Sequence, residues 1–173
     1  MALAAPQTPL QCPAISSRTL RMSYRIGRGE TGVLTFEPYK SSLLPLWRFR
    51  TPEIARQSSS ILYDQFVYFG EKSDFVGMDM CRKFIQMGMT RAKRYANHQG
   101  GKKYKTVGGE KRELPKSGAH RDKDEKEEAS EIFKEVWRRC KADEVYIRLK
   151  EEFQKEQKEW DKEQKSASKG EKG

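Results

Sequence analysis

The chain has 173 residues, 35 Lys+Arg against 25 Asp+Glu for a formal net charge of +10, and equal shares (35%) of apolar and charged residues. With ~25% charged being usual, this describes one modest domain with polar ends. No apolar run approaches the ~18 residues of a bilayer span, and three scattered cysteines (Cys12, Cys81, Cys140) with two histidines (His98, His120) offer neither a zinc-ligand spacing nor a disulfide framework. Such sparse thiols fit a reducing compartment, so an intracellular protein, cytoplasmic or nuclear, is expected.

Residues 1–22 are rich in Ala, Pro, Ser and Thr, and no acid appears before Glu30. A disordered leader is expected; an organelle transit peptide is the competing reading, opposed by Pro6, Pro9 and Pro13, which disfavour the amphipathic helix such peptides form. From Tyr24 to Tyr39, Tyr-Arg-Ile, a glycine-spaced loop and Val33-Leu34-Thr35-Phe36 predict two short strands and a turn. Ser41 to Arg50 is an extended connection offering Leu43, Leu44, Leu46, Trp47 and Phe49 for packing.

Thr51-Pro52-Glu53 is a helix start, with a hydroxyl at N-cap, proline at N1 and an acid in the first turn. The helix should run to about Phe69, burying Ile54, Ile61, Leu62, Phe66 and Phe69, with Gly70 as its C′ residue. Ser73 or Asp74 caps a second helix whose Val76, Met80, Phe84 and Met87 keep a 3.6 period down to Asn97. Lys102 to Arg121, rich in Gly and Lys and poor in apolar residues, reads as a long mobile loop.

A third helix begins among Asp122 to Glu128 and carries Ile132, Phe133, Val136, Trp137 and Cys140 on one side. A bend is expected near Ala142-Asp143, after which Val145, Tyr146, Leu149, Phe153 and Trp160 continue a stripe. Beyond residue 154 a frayed helix and a disordered Lys/Glu tail are expected. The predicted fold is mainly α (α+β), a short N-terminal β-hairpin packed on a bundle of about three to four helices, forming one compact domain over residues 23–153.

Charge is unevenly distributed. Residues 82–121 hold 12 basic and 2 acidic groups, the whole net charge of the chain, whereas residues 1–81 hold 9 and 7 and residues 122–173 hold 14 and 16. Such a block attracts polyanions. Within it, Arg91, Lys93, Arg94, Tyr95, Asn97, His98, Lys102, Lys103 and Tyr104 are the candidate anion or nucleic-acid binders. Arginine forks and lysine charges suit phosphates, and a tyrosine can stack on an unpaired base. The competing reading is that cations at a helix C-terminus complement the dipole, at ~0.3–1 kcal/mol each. A helix-turn-helix reader presents its helix N-terminus to bases, so backbone contact with little sequence preference is expected.

Gly27-Arg28-Gly29-Glu30-Thr31-Gly32 matches G-x-G-x-x-G, which makes Gly27, Gly29 and Gly32 a weak phosphate-loop candidate. A dinucleotide loop would open a helix, whereas a strand pattern follows here, so a tight turn is the stronger reading. No nucleophile elbow, Walker A motif or H-E-x-x-H is present. Cys81 lies far past its helix start and reads as an inert thiol. The sequence leans away from catalysis and suggests no cofactor or metal.

The runs Tyr-Arg-Ile-Gly-Arg-Gly-Glu-Thr-Gly-Val-Leu, Glu-Pro-Tyr-Lys, Trp-Arg-Phe-Arg-Thr-Pro-Glu-Ile-Ala, Asp-Phe-Val-Gly-Met-Asp-Met-Cys-Arg-Lys-Phe and Thr-Arg-Ala-Lys-Arg-Tyr-Ala-Asn-His resemble a family of short uncharacterised proteins of bacteria, fungi, algae and phages, grouped as a domain of unknown function. The resemblance spans about Tyr24 to Lys150. It implies a single compact domain and no activity or cofactor, with the leader and the Lys/Glu tail as additions to the pattern.

Three functional readings follow. The leading one is a basic domain that binds nucleic acid or another polyanion through its phosphates; the second is a small enzyme for a phosphorylated or carboxylated metabolite clamped by Arg91, Arg94 and His98. The third is an adaptor that pairs with a protein partner through Tyr146, Phe153 and Trp160. A convex basic face favours the first, and a closed pocket lined by Arg94, Tyr95 and His98 the second.

Overall fold

The computed structural model describes residues 2–170. Met1 of the expected leader and residues 171–173 of the expected tail lie outside the described residues. In chain order the elements are α1 (Pro13–Ser16), α2 (Arg18–Ser23), α3 (Tyr39–Leu43), α4 (Pro52–Glu71), α5 (Phe75–Asn97), β1 (Tyr104–Val107), β2 (Glu110–Glu113), α6 (Lys123–Ala142) and α7 (Glu144–Gly170). Among the described residues no helix is long and apolar enough to cross a membrane.

The central element is α5, packed against α4, α6, α7 and α3. Its first eleven residues, Phe75 to Ile85, are all buried, and both neighbouring helices come close because α5 carries glycines where they cross. A Cβ on Gly77 would sit 2.4 Å from the Phe69 ring of α4, and one on Gly88 2.5 Å from the Phe133 ring of α6. Thr51 caps α4 by accepting from Ile54 N–H, and Asp74 caps α5 by accepting from Gly77 N–H at 3.1 Å, as their sequence signals predict. Gly70 does not end α4. It lies inside the helix, 2.9 Å in Cβ terms from Met78, and Ser73 takes the left-handed conformation at φ 56°.

The expected N-terminal hairpin is absent. Residues 27–36 form successive turns, with Thr31 N–H bonded to Arg28 O, Val33 N–H to Glu30 O and Thr35 N–H to Gly32 O. Glycines at positive φ (Gly27, Gly29, Gly32) coil the backbone, so no extended run forms. The carbonyls of this coil close around two cations of α5. Lys83 Nζ donates to Arg25 O (3.1 Å) and Thr31 O (2.9 Å), and Arg82 donates to Gly29 O (3.2 Å).

The hairpin instead lies in the segment expected to be a loop. β1 and β2 pair antiparallel from Tyr104↔Glu113 to Val107↔Glu110, joined by Gly108-Gly109, both at positive φ as a two-residue primed turn requires.

The chain ahead of Tyr24 is docked. Ala14 and Met22 are fully buried, Ala14 N–H donates to the Tyr39 hydroxyl at 3.0 Å, and that hydroxyl donates to Asp74 at 2.5 Å. The bend at Asp143 occurs where expected, with its carboxylate accepting from Tyr146 N–H at 2.9 Å. Beyond it α7 continues as one helix to Gly170. Arg21–Glu156 (2.7 Å), Arg18–Glu163 (2.9 Å) and Arg25–Asp161 (2.9 Å) tie α7 to the N-terminal arm. Of the stripe read as an adaptor surface, Phe153 and Tyr146 are buried, packed at a tilt against Phe75 (4.9 Å) and Phe66 (5.6 Å), while Trp160 is half-buried with Arg18 over its ring.

Candidate anion-binding site

The last turns of α5 carry the basic run and present it to two sides. On one side, Lys93, Arg94, Asn97 and His98 meet Lys103 and, from α6, Ser130, Glu131, Lys134 and Trp137. Together they line a cleft of about 490 Å³ holding four fixed cations and one carboxylate. On the other side, Tyr95 packs against Phe49, ring centroids 5.6 Å apart, in a separate aromatic pocket.

The carbonyls at the end of α5 have partners of their own. Ser117 N–H donates to Asn97 O at 2.8 Å, and His120 Nε2 lies 3.1 Å from Ala96 O. The returning segment thus supplies the cap that orphan carbonyls need, and the cations of the run make no bond to them among the described residues.

Three buried nitrogens of the cleft have no hydrogen-bond partner among the described residues: Arg94 Nε, His98 Nδ1 and Trp137 Nε1. More than 90% of buried polar groups are normally paired, and an unmade bond at such a site costs about 1–3 kcal/mol. Arginine and indole nitrogens only donate, and His98 Nδ1 donates whenever it carries the proton. His98 is 5% exposed, so solvent does little to satisfy it. All three residues line the cleft.

The surrounding ion pairs are loose. Lys93–Glu127 is 3.9 Å, Lys134–Glu131 3.8 Å and Lys103–Glu113 3.5 Å, all beyond the ~2.7–2.9 Å of a strong charge-assisted bond. Tyr104 and Glu113 hold the Lys103 ammonium above its ordinary value.

Residues 8–156 match the model of a family described as a domain of unknown function, DUF4385. The chain belongs to this family. No curated protein and no solved structure matches it. The DUF4385 match begins ahead of Tyr24, so the docked arm carrying α1 and α2 is part of the family pattern and not an addition to it.

Of the candidate residues read from the sequence, the DUF4385 fold brings Lys93, Arg94, Asn97, His98 and Lys103 into one cleft. Arg91 is half-buried and lines neither cavity, Lys102 is exposed, and Tyr95 serves the aromatic pocket. Tyr104 stands on β1, 48% exposed. Gly27, Gly29 and Gly32 take no part in the cleft, and their loop bonds its carbonyls to Arg82 and Lys83 as described above. Cys81 is fully buried, which pushes its thiol well above the ordinary value. Sequence reasoning missed Ser130, Lys134 and Trp137. Trp137 stood in the apolar stripe of its helix, and only the crossing of α5 and α6 reveals that it lines the same cleft as the basic run.

The ribbon beside the cleft is exposed on both faces. Lys105 lies directly opposite Arg112, a like-charge cross-strand pair that destabilises a sheet, in a two-stranded element already marginal in water.

Proposed function

We propose that this protein binds nucleic acid through its phosphates, with one phosphate seated in the α5–α6 cleft and others along the ribbon. The observation that carries this is that Arg94, His98 and Trp137, each with a buried nitrogen that has no partner among the described residues, line one cleft with Lys93, Lys103 and Lys134. A phosphate accepts from arginine forks and from isolated N–H groups alike, and its charge offsets the four cations around it. The Lys105–Arg112 pair supports the same reading, because a phosphate between two like charges removes their repulsion. Contacts of this type position a backbone and read no base edges, so little sequence preference is expected.

A second reading is favoured by shape. The cleft is concave and about 490 Å³, within the ~300–1,000 Å³ of small-molecule sites, and suits a phosphorylated or carboxylated metabolite. Tyr95 lies outside it, so the closed pocket expected of that reading is not the one formed.

Fluorescence anisotropy with mixed-sequence single-stranded and duplex probes separates the two. Nucleic-acid binding predicts saturable binding at low salt that weakens about equally for all sequences in a Lys93→Gln, Arg94→Gln, Lys103→Gln variant. No binding to either probe, together with protection from thermal unfolding by millimolar pyrophosphate, would transfer the site to the small-ligand reading.

A further inference from the structure

The aromatic pocket on the opposite side of Arg94 is not used by the phosphate cleft, yet it is built from the same turn of α5. Trp47 and Phe49 have centroids 5.0 Å apart, Phe49 and Tyr95 5.6 Å apart, and Lys126 Nζ lies 5.9 Å and 5.8 Å from the Phe49 and Tyr95 rings. The cavity they share is about 620 Å³, with Arg48 and Arg50 also lining it. Tyr95 is held in place: the chain passes so closely over it at Gly101 that a Cβ there would lie 2.6 Å from the ring.

The chemistry of the pocket is narrow. Its walls are apolar and aromatic, it is edged by cations, and one of its lining residues, Trp47, has a buried indole N–H without a partner among the described residues. A purely hydrocarbon occupant would leave that N–H unmet and gain nothing from Arg48, Arg50 and Lys126. A flat ring with an acceptor on its edge, attached to an anionic chain, satisfies all three features. Adjacent helical residues point about 100° apart, so Arg94 and Tyr95 address a backbone and its base from neighbouring faces of one helix.

We propose that this pocket takes one unpaired nucleobase, stacked on the aromatic rings and accepting a hydrogen bond from Trp47 Nε1. The proposal rests on the phosphate-binding reading and adds to it a preference for single strands, since a paired base cannot leave its stack without cost.

The test compares three labelled probes of equal length, an oligothymidylate, its fully abasic counterpart and a duplex, by anisotropy at low salt. The oligothymidylate should bind about 5- to 150-fold tighter than the abasic strand, the range expected for stacking one base. Trp47→Phe should shrink that ratio while leaving the abasic affinity unchanged. Equal binding of oligothymidylate and abasic strand to the wild-type protein overturns the base pocket and leaves the phosphate reading standing. Failure of all three probes to bind overturns both. The wild-type comparison needs no variant to fold.

Discussion

The Tyr146 hydroxyl of α7 donates to Asp79 of α5 at 2.7 Å, and the carboxylate oxygen that accepts it also accepts Arg82 Nε at 2.7 Å. The other oxygen of Asp79 takes the Tyr24 hydroxyl. Asp79 is fully buried and Arg82 is 6% exposed, so one carboxylate joins α7, Tyr24 and the Arg82 cation of its own helix. Removing Tyr146's hydroxyl should therefore cost little, about 1–2 kcal/mol, because Asp79 retains two donors. Asp79→Ala strands the Arg82 charge and should cost about 3–5 kcal/mol. Urea unfolding of the two variants checks the order; a smaller loss in Asp79→Ala than in Tyr146→Phe would contradict it.

Glycines at the helix crossings set a second ordering. Alanine in a helix interior gains roughly 1 kcal/mol over glycine by propensity, while forcing a methyl into a packed core costs about 1–3 kcal/mol. At Gly77 and Gly88 the obstacle is an aromatic ring at 2.4–2.5 Å, whereas at Gly70 it is the mobile end of Met78 at 2.9 Å. Gly77→Ala and Gly88→Ala should lower the thermal midpoint, and Gly70→Ala should leave it near the wild-type value. A midpoint raised by Gly77→Ala would show that α4 and α5 are packed less closely than described.

Those same residues show what was readable from sequence. The caps at Thr51 and Asp74 and the bend at Asp143 were legible because each is a local signal, a side chain bonding a backbone N–H three residues on. The apolar stripes of α4, α5 and α6 were legible because their period is local too. The ribbon was misplaced because its strands bury nothing, so no alternation marks them, and the one cue, Gly108-Gly109, lay in a segment read as structureless. The docked arm was missed because its partners, Tyr39 and Glu156, lie farther along the chain. In the site, the basic run was visible as composition, but its division into a cleft and an aromatic pocket depends on which side of α5 each residue faces.

Burial sets opposed titrations against each other at alkaline pH. Burial pulls the Lys83 ammonium down to about 8, so between about pH 8 and the ordinary lysine value of ~10.4 the unfolded chain binds a proton the folded one lacks, and stability rises with pH. Burial, followed by the neighbouring Asp79 or Asp74 charge, raises the phenols of Tyr24, Tyr39 and Tyr146. Burial raises the thiols of Cys81 and Cys140 as well, so above the ordinary thiol value of ~8.5, and again above the phenol value of ~10, the unfolded chain gives up protons that the folded one keeps, and stability falls. Lys83→Met removes the one titration in this set that offsets the loss, so urea midpoints of the variant should fall more steeply than those of the wild type between about pH 8 and 10 and in parallel with them above that; parallel curves throughout would show that Lys83 is not held low by burial.

The ribbon allows charge and stability to be separated. Lys105 and Arg112 are exposed and directly opposed, so neutralising both removes a repulsion and leaves every described core contact intact. Lys105→Gln with Arg112→Gln should therefore leave the thermal midpoint unchanged or slightly raised, since exposed charges contribute little. Binding should respond differently. Each phosphate neutralised by the protein releases counterions and contributes about −0.7 to −0.9 to the slope of log affinity against log salt. If the two residues each engage a phosphate, the slope of the double variant should be shallower by roughly 1.4–1.8, from anisotropy titrations between 50 and 200 mM salt. The affinity of the two proteins should converge as salt rises, because the interaction lost is the one that salt screens. A double variant with the wild-type slope would place the phosphates on the α5–α6 cleft alone and remove the ribbon from the binding surface.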